Sequence, residues 1–218
     1  MIIPEEKTEV FLQEIEQYQA ILTKEYQSSD PGAKIEGEVL KENEVDAISF
    51  EDTKKTIFLL VHLPGGIQRM SMDIEGLVET SLNMGILCIK DSAVCMTYSV
   101  RSSVQSQKEF LVAKLKSMTE FVGGSISVHG EYPAWEYKKN SPFREQAIAI
   151  YEKMYGQKPT VEAIHAGLEC GILAGKIKEL DCISIGPNMD DIHTTEERLS
   201  ISSAKRVWEY VLEILKCK

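Results

Sequence analysis

Apolar residues recur at helical spacing in several parts of the chain. Between Glu9 and Tyr26 they stand three and four residues apart with polar residues between them, which predicts an amphipathic helix. Ser49, followed three residues later by Asp52, is an N-cap signal. An early proline favours a helix after Ser141. These signals predict further helices over residues 49–62, 106–121, 141–155, 169–174 and 202–217.

Other stretches alternate or are rich in β-branched residues, which is typical of strands. Strands are predicted over residues 33–40, 77–89, 93–101, 125–129, 160–164 and 181–185. Only three residues separate the second and third of these, so they are expected to pair as a hairpin. The order of elements up to residue 129 predicts an open antiparallel sheet covered on one face by helices.

The composition changes at residues 130–135, a turn-rich stretch that we take as a domain boundary. We therefore expect one domain over residues 1–132 and another over 133–218. Helices and short strands alternate in the second domain, which indicates α/β packing. The predicted fold class is α/β (α+β).

The 218 residues carry a formal net charge of -10, and such a surface repels phosphate backbones, so a nucleic-acid partner is not expected. No segment approaches the roughly 20 apolar residues needed to cross a bilayer, and we expect no membrane partner. The first residues do not resemble a signal peptide. The five cysteines include no C-x-x-C pair, which favours free thiols in a reducing compartment. A cytoplasmic protein is expected.

Two histidines stand in segments where functional residues are often found. His193 follows a predicted strand that ends in Gly186-Pro187, and α/β proteins place functional groups just beyond such strand ends. His165 lies in a small-residue turn before a helix, which would let a substrate approach the backbone. On the pattern alone, a solvated loop and a simple tight turn remain open as alternatives. His62 and His129 are expected at the surface.

Arg101 ends a predicted strand, where a guanidinium can bind a carboxylate through two parallel hydrogen bonds. A solvated strand-end residue is the alternative. Acidic pairs at 190–191 and 196–197 flank His193, and Asp191 and His193 have a spacing that two metal ligands could share. Four acids in one loop are more often solvated.

Several segments together resemble one enzyme family. Residues 163–171 (AIHAGLECG), 181–187 (DCISIGP) and 193–198 (HTTEER) resemble the C-terminal region of aminoacyl-histidine dipeptidases. Residues 77–85 (LVETSLNMG) and 100–103 (VRSS) resemble the lid domain of the same family. The resemblance extends over nearly the whole chain, with the motifs in the same order.

The family's fold is an α/β catalytic domain with two zinc ions and an inserted lid domain. The resemblance therefore implies that residues 1–132 are the later part of the lid and 133–218 the C-terminal portion of a zinc-peptidase-like catalytic domain. It implies that His193 is the last metal ligand, that Arg101 binds the terminal carboxylate of the substrate, and that Gly167 lies beside the substrate. The implied substrates are dipeptides with a C-terminal histidine.

The resemblance assigns the remaining metal ligands and the general base to the family's N-terminal half, ahead of the segments matched here. A catalytic zinc needs about three protein ligands, so one imidazole leaves an incomplete site. We expect no catalytic residue in this chain and no hydrolysis by the chain alone. The alternative is a non-catalytic relict that acts as a binding or dimerisation module. A homodimer through the lid domain is left open as a partner.

Overall fold

The structure is a computed structural model that describes residues 2–40, 47–163 and 169–217. The chain divides into two compact units, residues 1–54 and 55–218. The boundary predicted near residue 132 lies inside the second unit and stays a prediction. No helix of the described residues is long and apolar enough to span a membrane.

The first unit contains a short 3-10 helix, Glu5–Lys7, and the predicted amphipathic helix α1, Thr8–Glu25. The strand predicted over residues 33–40 is wrong, because this segment forms no ladder with any strand of the described residues. The amide of Gln19 takes the place of a neighbouring strand: it donates to the Ala33 carbonyl at 3.3 Å and accepts from the Ile35 N–H at 2.6 Å.

Helix α2, Phe50–His62, begins where the sequence predicts and continues across the division between the units. The Ser49 hydroxyl accepts a hydrogen bond from the Asp52 N–H at 3.1 Å, which satisfies one of the free donors at the helix start. The N-cap prediction is confirmed.

Three antiparallel strands, in the order β1-β2-β3, form the sheet of the second unit: β1 (Gly66–Met70), β2 (Val78–Lys90) and β3 (Ala93–Ser102). Asp91 and Ser92 form the connection between β2 and β3, with φ of 49° and 60°, as in the type I′ turns that suit hairpins. The predicted hairpin is confirmed. Strand β1, a short strand that begins at the second residue of the pair Gly65-Gly66, was not predicted from the sequence.

Helix α3, Gln105–Phe121, packs on one face of this sheet. Leu82 from β2 and Leu111 and Leu115 from α3 form the buried cluster, and Leu63, Tyr98, Val100 and Ile126 pack around it. An antiparallel sheet with a helix on one face is therefore confirmed. The strand predicted over 125–129 is wrong: Ile126 packs against the core, but the segment joins no ladder in the part of the chain that the structure describes.

Two long helices, α4 (Pro142–Tyr155) and α6 (Ile201–Lys216), pack together in the C-terminal part. The buried Tyr210 hydroxyl donates to the Ala147 carbonyl at 2.7 Å, and the Tyr155 hydroxyl donates to the Arg206 carbonyl at 2.9 Å. Both helices were predicted to within a residue or two.

Between them lie helix α5, Glu169–Lys176, and a hairpin of two short strands, β4 (Met189–Asp190) and β5 (Arg198–Leu199). The strand predicted at 181–185 is wrong. The strand predicted at 160–164 is also wrong over residues 160–163, and residue 164 lies outside the described residues. A strand requires a neighbour to complete its hydrogen bonds, and no described strand lies beside either segment.

Candidate functional site

Arg101 lies on the face of the sheet opposite α3. It stands directly across from Ser81, while Leu82 stands across from Val100 on the core face. Successive residues of a strand point to opposite faces, so residues two apart share a face. Asn83 and Ser99, which are paired with each other two residues from Ser81 and Arg101, therefore lie on the same face as Arg101. This surface, which we call the polar sheet face, consists of Ser81, Asn83, Ser99 and Arg101.

The guanidinium of Arg101 is exposed and makes no hydrogen bond or ion pair with any described residue. Glu79, an acid on the same side of β2, is buried and pairs with Arg69, whose Nε lies 3.1 Å from its Oε1. Since that carboxylate is already compensated, it does not neutralise Arg101. Among the described residues, the guanidinium of Arg101 has no acidic partner, so its charge is available to an anionic group.

Among the members of this surface that were not selected from the sequence are Asn83 and Ser99. Both side chains are exposed, and neither forms a hydrogen bond with the residues that the structure describes. An amide and a hydroxyl beside a guanidinium supply the donors that a carboxylate accepts from. The signal that could have found them is their even spacing from Ser81 and Arg101 along the two strands.

His193 stands in the loop that joins β4 to β5, and it is exposed. Its φ is 68°, and that of Asp191 is 52°, a left-handed conformation that non-glycine residues seldom adopt. The loop holds it in place: the Thr194 hydroxyl donates to the Asp191 carbonyl at 2.7 Å, and the His193 N–H donates to Glu197 Oε2 at 2.9 Å. These hydrogen bonds hold the backbone that carries the imidazole of His193.

The acids around His193 are mostly engaged elsewhere. Asp191 Oδ2 accepts from Arg198 at 2.7 Å, and Glu197 accepts from the His193 backbone. The ring nitrogens of His193 bond to no described residue. The geometry thus favours the solvated alternative for these acids over a shared Asp191 and His193 ligand pair.

Within residues 2–40, 47–163 and 169–217, no three His, Cys, Asp or Glu side chains converge to hold a metal ion. A catalytic zinc takes about three protein ligands, so these residues alone do not fit a zinc site. His165 and Gly167 lie outside the described residues. No hydrogen bond or ion pair joins Arg101 to His193 in the described part. Arg101 is in the three-stranded sheet, whereas His193 is in the loop of the two-stranded hairpin.

Known proteins match this chain almost from end to end. It is 31% identical over 211 residues to the cytosol non-specific dipeptidase of Escherichia coli (strain K12). The crystal structure of aminoacylhistidine dipeptidase from Vibrio alginolyticus superposes on 98% of the chain with a TM-score of 0.85 and 29% identity. The predicted resemblance to aminoacyl-histidine dipeptidases is confirmed. No protein-family model matches the chain.

The chain spans less than half the length of these dipeptidases, 43% of the first and 44% of the second. That coverage is consistent with the predicted C-terminal part. Aminopeptidase PepT from Bacillus cereus superposes on 74% of the chain with a TM-score of 0.57 and 21% identity, and the match covers 44% of that protein. At this identity, the likeness shows the fold alone. The dipeptidase relatives support the mixed fold of helices and antiparallel sheet.

Proposed function

We propose that this chain supplies the C-terminal part of a metal-dependent dipeptidase that hydrolyses dipeptides with a C-terminal histidine. The observation that carries the proposal is the match of 97–98% of the chain to two dipeptidases at about 30% identity. One of these relatives is named for the cytosol, and we place this protein there too. By itself, the chain is proposed to be inactive.

Arg101 is the residue proposed to bind the substrate carboxylate. Its guanidinium is exposed, has no acidic partner among the described residues, and shares a sheet face with two further hydrogen-bond donors. A guanidinium binds a carboxylate through two parallel hydrogen bonds, which fixes both the position and the orientation of a dipeptide. Asn83 and Ser99, the next pair along the same face, would add donors beside that contact.

His193 is the residue proposed to bind metal, with zinc as the expected ion. Neutral imidazole is a common zinc ligand, and the ring of His193 is free of bonds to described residues. The other ligands and the general base would come from the part of the enzyme that this chain does not cover. Since the described residues do not fit a complete site, no catalytic step is assigned to them.

The domain assignment belongs to the same proposal. Residues 1–132 would be the later part of a lid domain, and residues 133–218 the closing portion of the catalytic domain. The polar sheet face would then be the lid surface that the substrate meets. Gly167 is retained as a residue beside the substrate, on the strength of the motif at 163–171 alone.

A chimera tests this proposal. This chain would replace the matching segment of the Escherichia coli relative, and hydrolysis of a dipeptide ending in histidine would be followed with zinc present. We expect an active chimera in which Arg101→Met lowers kcat/KM by about 10–100-fold, the value of one charged hydrogen-bonded contact. Lys90→Met, which changes a cation at the far end of the same hairpin, is the matched control.

A dipeptide amide, which lacks the carboxylate, separates substrate binding from folding. The Arg101→Met chimera should lose little further activity on the amide, because the charge that Arg101 recognises is already absent. A folded chimera in which Arg101→Met cleaves the free dipeptide as well as the parent does would contradict the assignment of Arg101.

A homodimer through the lid is also proposed. Strand β3 is at an edge of the described sheet, and the outer part of the hairpin exposes Ile86, Leu87 and Ile89. An unpaired edge beside apolar side chains is a surface on which another copy can add a strand. Sedimentation should reveal a dimer that Ile89→Glu dissociates, and a monomer at all concentrations would rule it out.

A further inference from the structure

Two cysteines face each other across the β2–β3 hairpin. Cys88 and Cys95 are directly paired in the register of these strands, six pairs away from Ser81 and Arg101. Cys88 is exposed and Cys95 is half-buried, and both are free thiols. By the alternation along β3, Cys95 lies on the same side as Ser99 and Arg101, so both sulfurs border the polar sheet face.

The register fixes the spacing of this pair. Lys90 and Ala93 flank a two-residue turn, so they exchange both of their backbone hydrogen bonds. Hydrogen-bonded pairs recur every second residue, which makes Cys88 and Cys95 the next such pair, with Cα atoms about 5.5 Å apart. Disulfides join Cα atoms about 4.4–6.8 Å apart, so the Cα spacing of this pair lies within the range that a disulfide spans.

This part of the hairpin has little other support. Strand β1 pairs only with residues 78–82 of β2, and the buried cluster ends at Leu82, Tyr98 and Val100. Beyond them, β2 and β3 pair with no third strand of the described residues, and their apolar side chains are exposed. A two-stranded ribbon is marginally stable in water, so a covalent link between its strands has a large relative effect.

We propose that Cys88 and Cys95 form a dithiol modification site that a small-molecule disulfide, such as oxidised glutathione, converts to a reversible cross-strand disulfide. The thiolate of one cysteine attacks a glutathione sulfur, forms a mixed disulfide and releases one glutathione. The second thiolate attacks the protein sulfur of that mixed disulfide and expels the other glutathione. The protein loses two electrons and two protons, and oxidised glutathione gains them.

The second cysteine pair of the chain offers an internal comparison. The Cys182 thiol lies 4.0 Å from the Cys170 carbonyl oxygen, and the Cys170 thiol donates to the Ile183 carbonyl at 3.7 Å. Burial, with Cys170 beside it, raises the pKa of the Cys182 thiol and reduces its thiolate fraction. Exposed Cys88 should therefore react with a dissolved disulfide before Cys182 does.

The test uses the full chain and does not depend on the proposed dipeptidase function. After treatment with oxidised glutathione, peptide mass spectrometry should find Cys88 linked to Cys95 within one chain, with free thiols at Cys170, Cys182 and Cys217. Dithiothreitol should restore all five thiols. In the Cys88→Ser variant, Cys95 should carry a stable glutathione instead, while Cys170→Ser should leave the hairpin disulfide unchanged.

Hydrogen exchange supplies a second readout. The amides of residues 86–97 should exchange more slowly in the oxidised chain, while those of α4 and α6 should not change. Separate glutathionylation of Cys88 and Cys95, persistence of both thiols, or a link between Cys170 and Cys182 in place of the hairpin bond would each overturn the proposal.

Discussion

Asp181 joins two parts of the C-terminal region through one carboxylate. Its Oδ1 accepts from the Ser141 hydroxyl at 2.6 Å and its Oδ2 from the Phe143 N–H at 3.0 Å, at the start of α4. Desolvation raises the pKa of this carboxyl. The two hydrogen bonds and the charges of Lys138 and Arg144 lower the pKa, and their combined effect is the larger one. The net result is a pKa below the ordinary value.

That direction sets a pH dependence. An acid with a lowered pKa in the folded state binds fewer protons there than in the unfolded chain. Its stabilising effect is complete above the unfolded pKa, about 3.9, and disappears as the pH falls through the lower folded value. Asp181→Asn should therefore reduce the free energy of unfolding by about 1–2 kcal/mol at pH 7.

Urea unfolding at several pH values checks this prediction. The difference between Asp181→Asn and the parent should shrink as the pH drops below the unfolded pKa. Glu131→Gln, a change at an exposed acid, is the control and should cost little at any pH. A difference that stays constant with pH would show that the charge of Asp181 contributes nothing.

Single residues were predicted unevenly from the sequence. The motifs selected Arg101 and His193, and the structure gives both exposed side chains without partners among the described residues. Asn83, Ser99 and Asp181 were not selected, because their positions matter only once the strand register and the start of α4 are known. The contacts of Asp181 join residues 40 and 38 positions apart in the chain, and no local pattern encodes them.

Helix α5 shows how one element depends on glycine. Gly171 is buried against residues 133–135: a Cβ at this position would lie 3.0 Å from the Pro133 carbonyl oxygen and 3.3 Å from Trp135 Cβ. One turn later, a Cβ on Gly175 would lie 2.9 Å from the Pro133 ring. The absence of side chains on this side of α5 lets the helix approach the segment closely.

Gly171→Ala should destabilise the chain by about 1–3 kcal/mol, as overpacking does in a closely packed interior. Alanine favours a helix over glycine by about 1 kcal/mol, so a stabilised variant would mean that the close approach is unimportant. Gly65→Ala is the control, since a Cβ there would meet open space. Thermal unfolding of the two variants beside the parent measures the difference.

Helices and the long hairpin were predicted well because their hydrogen bonds and apolar spacing are local. The strands expected at 33–40, 125–129, 160–164 and 181–185 were not confirmed over their described residues. An alternating or apolar run indicates only that a segment suits a strand, and a strand also needs a neighbour. For 33–40, the side chain of Gln19 supplies hydrogen bonds that a neighbour would have made.

At the scale of the whole molecule, α6 has more apolar surface than its neighbours cover. Tyr210 is buried against α4, whereas Ile201, Trp208 and Leu215 keep 83%, 63% and 68% of their surface exposed. These three residues recur at seven-residue intervals and so form one stripe along the helix. On the proposed function, the part of the dipeptidase beyond this chain covers that stripe.

Leu215→Glu tests that assignment in two settings. In the chain alone, the free energy of unfolding should change by less than about 0.5 kcal/mol, because the site is exposed. In the chimera with the Escherichia coli relative, the same change should lower the stability by about 2 kcal/mol or more, since it would bury a charge. Phe121→Glu, at an exposed position on α3, is the control and should change the stability little in the chain alone and in the chimera. If Leu215→Glu lowered the stability of the chain alone and of the chimera equally, the assignment would be refuted.

On the proposed function, His193 completes a metal site whose other ligands lie in the part of the dipeptidase that this chain does not cover. Its most direct test is the metal content of the purified chimera, measured after incubation with zinc and removal of free ions. We predict that His193→Ala lowers the bound metal by about one equivalent per chain, while His129→Ala does not. The chain alone should retain none and hydrolyse no dipeptide. A folded His193→Ala chimera with its full metal content would contradict the account.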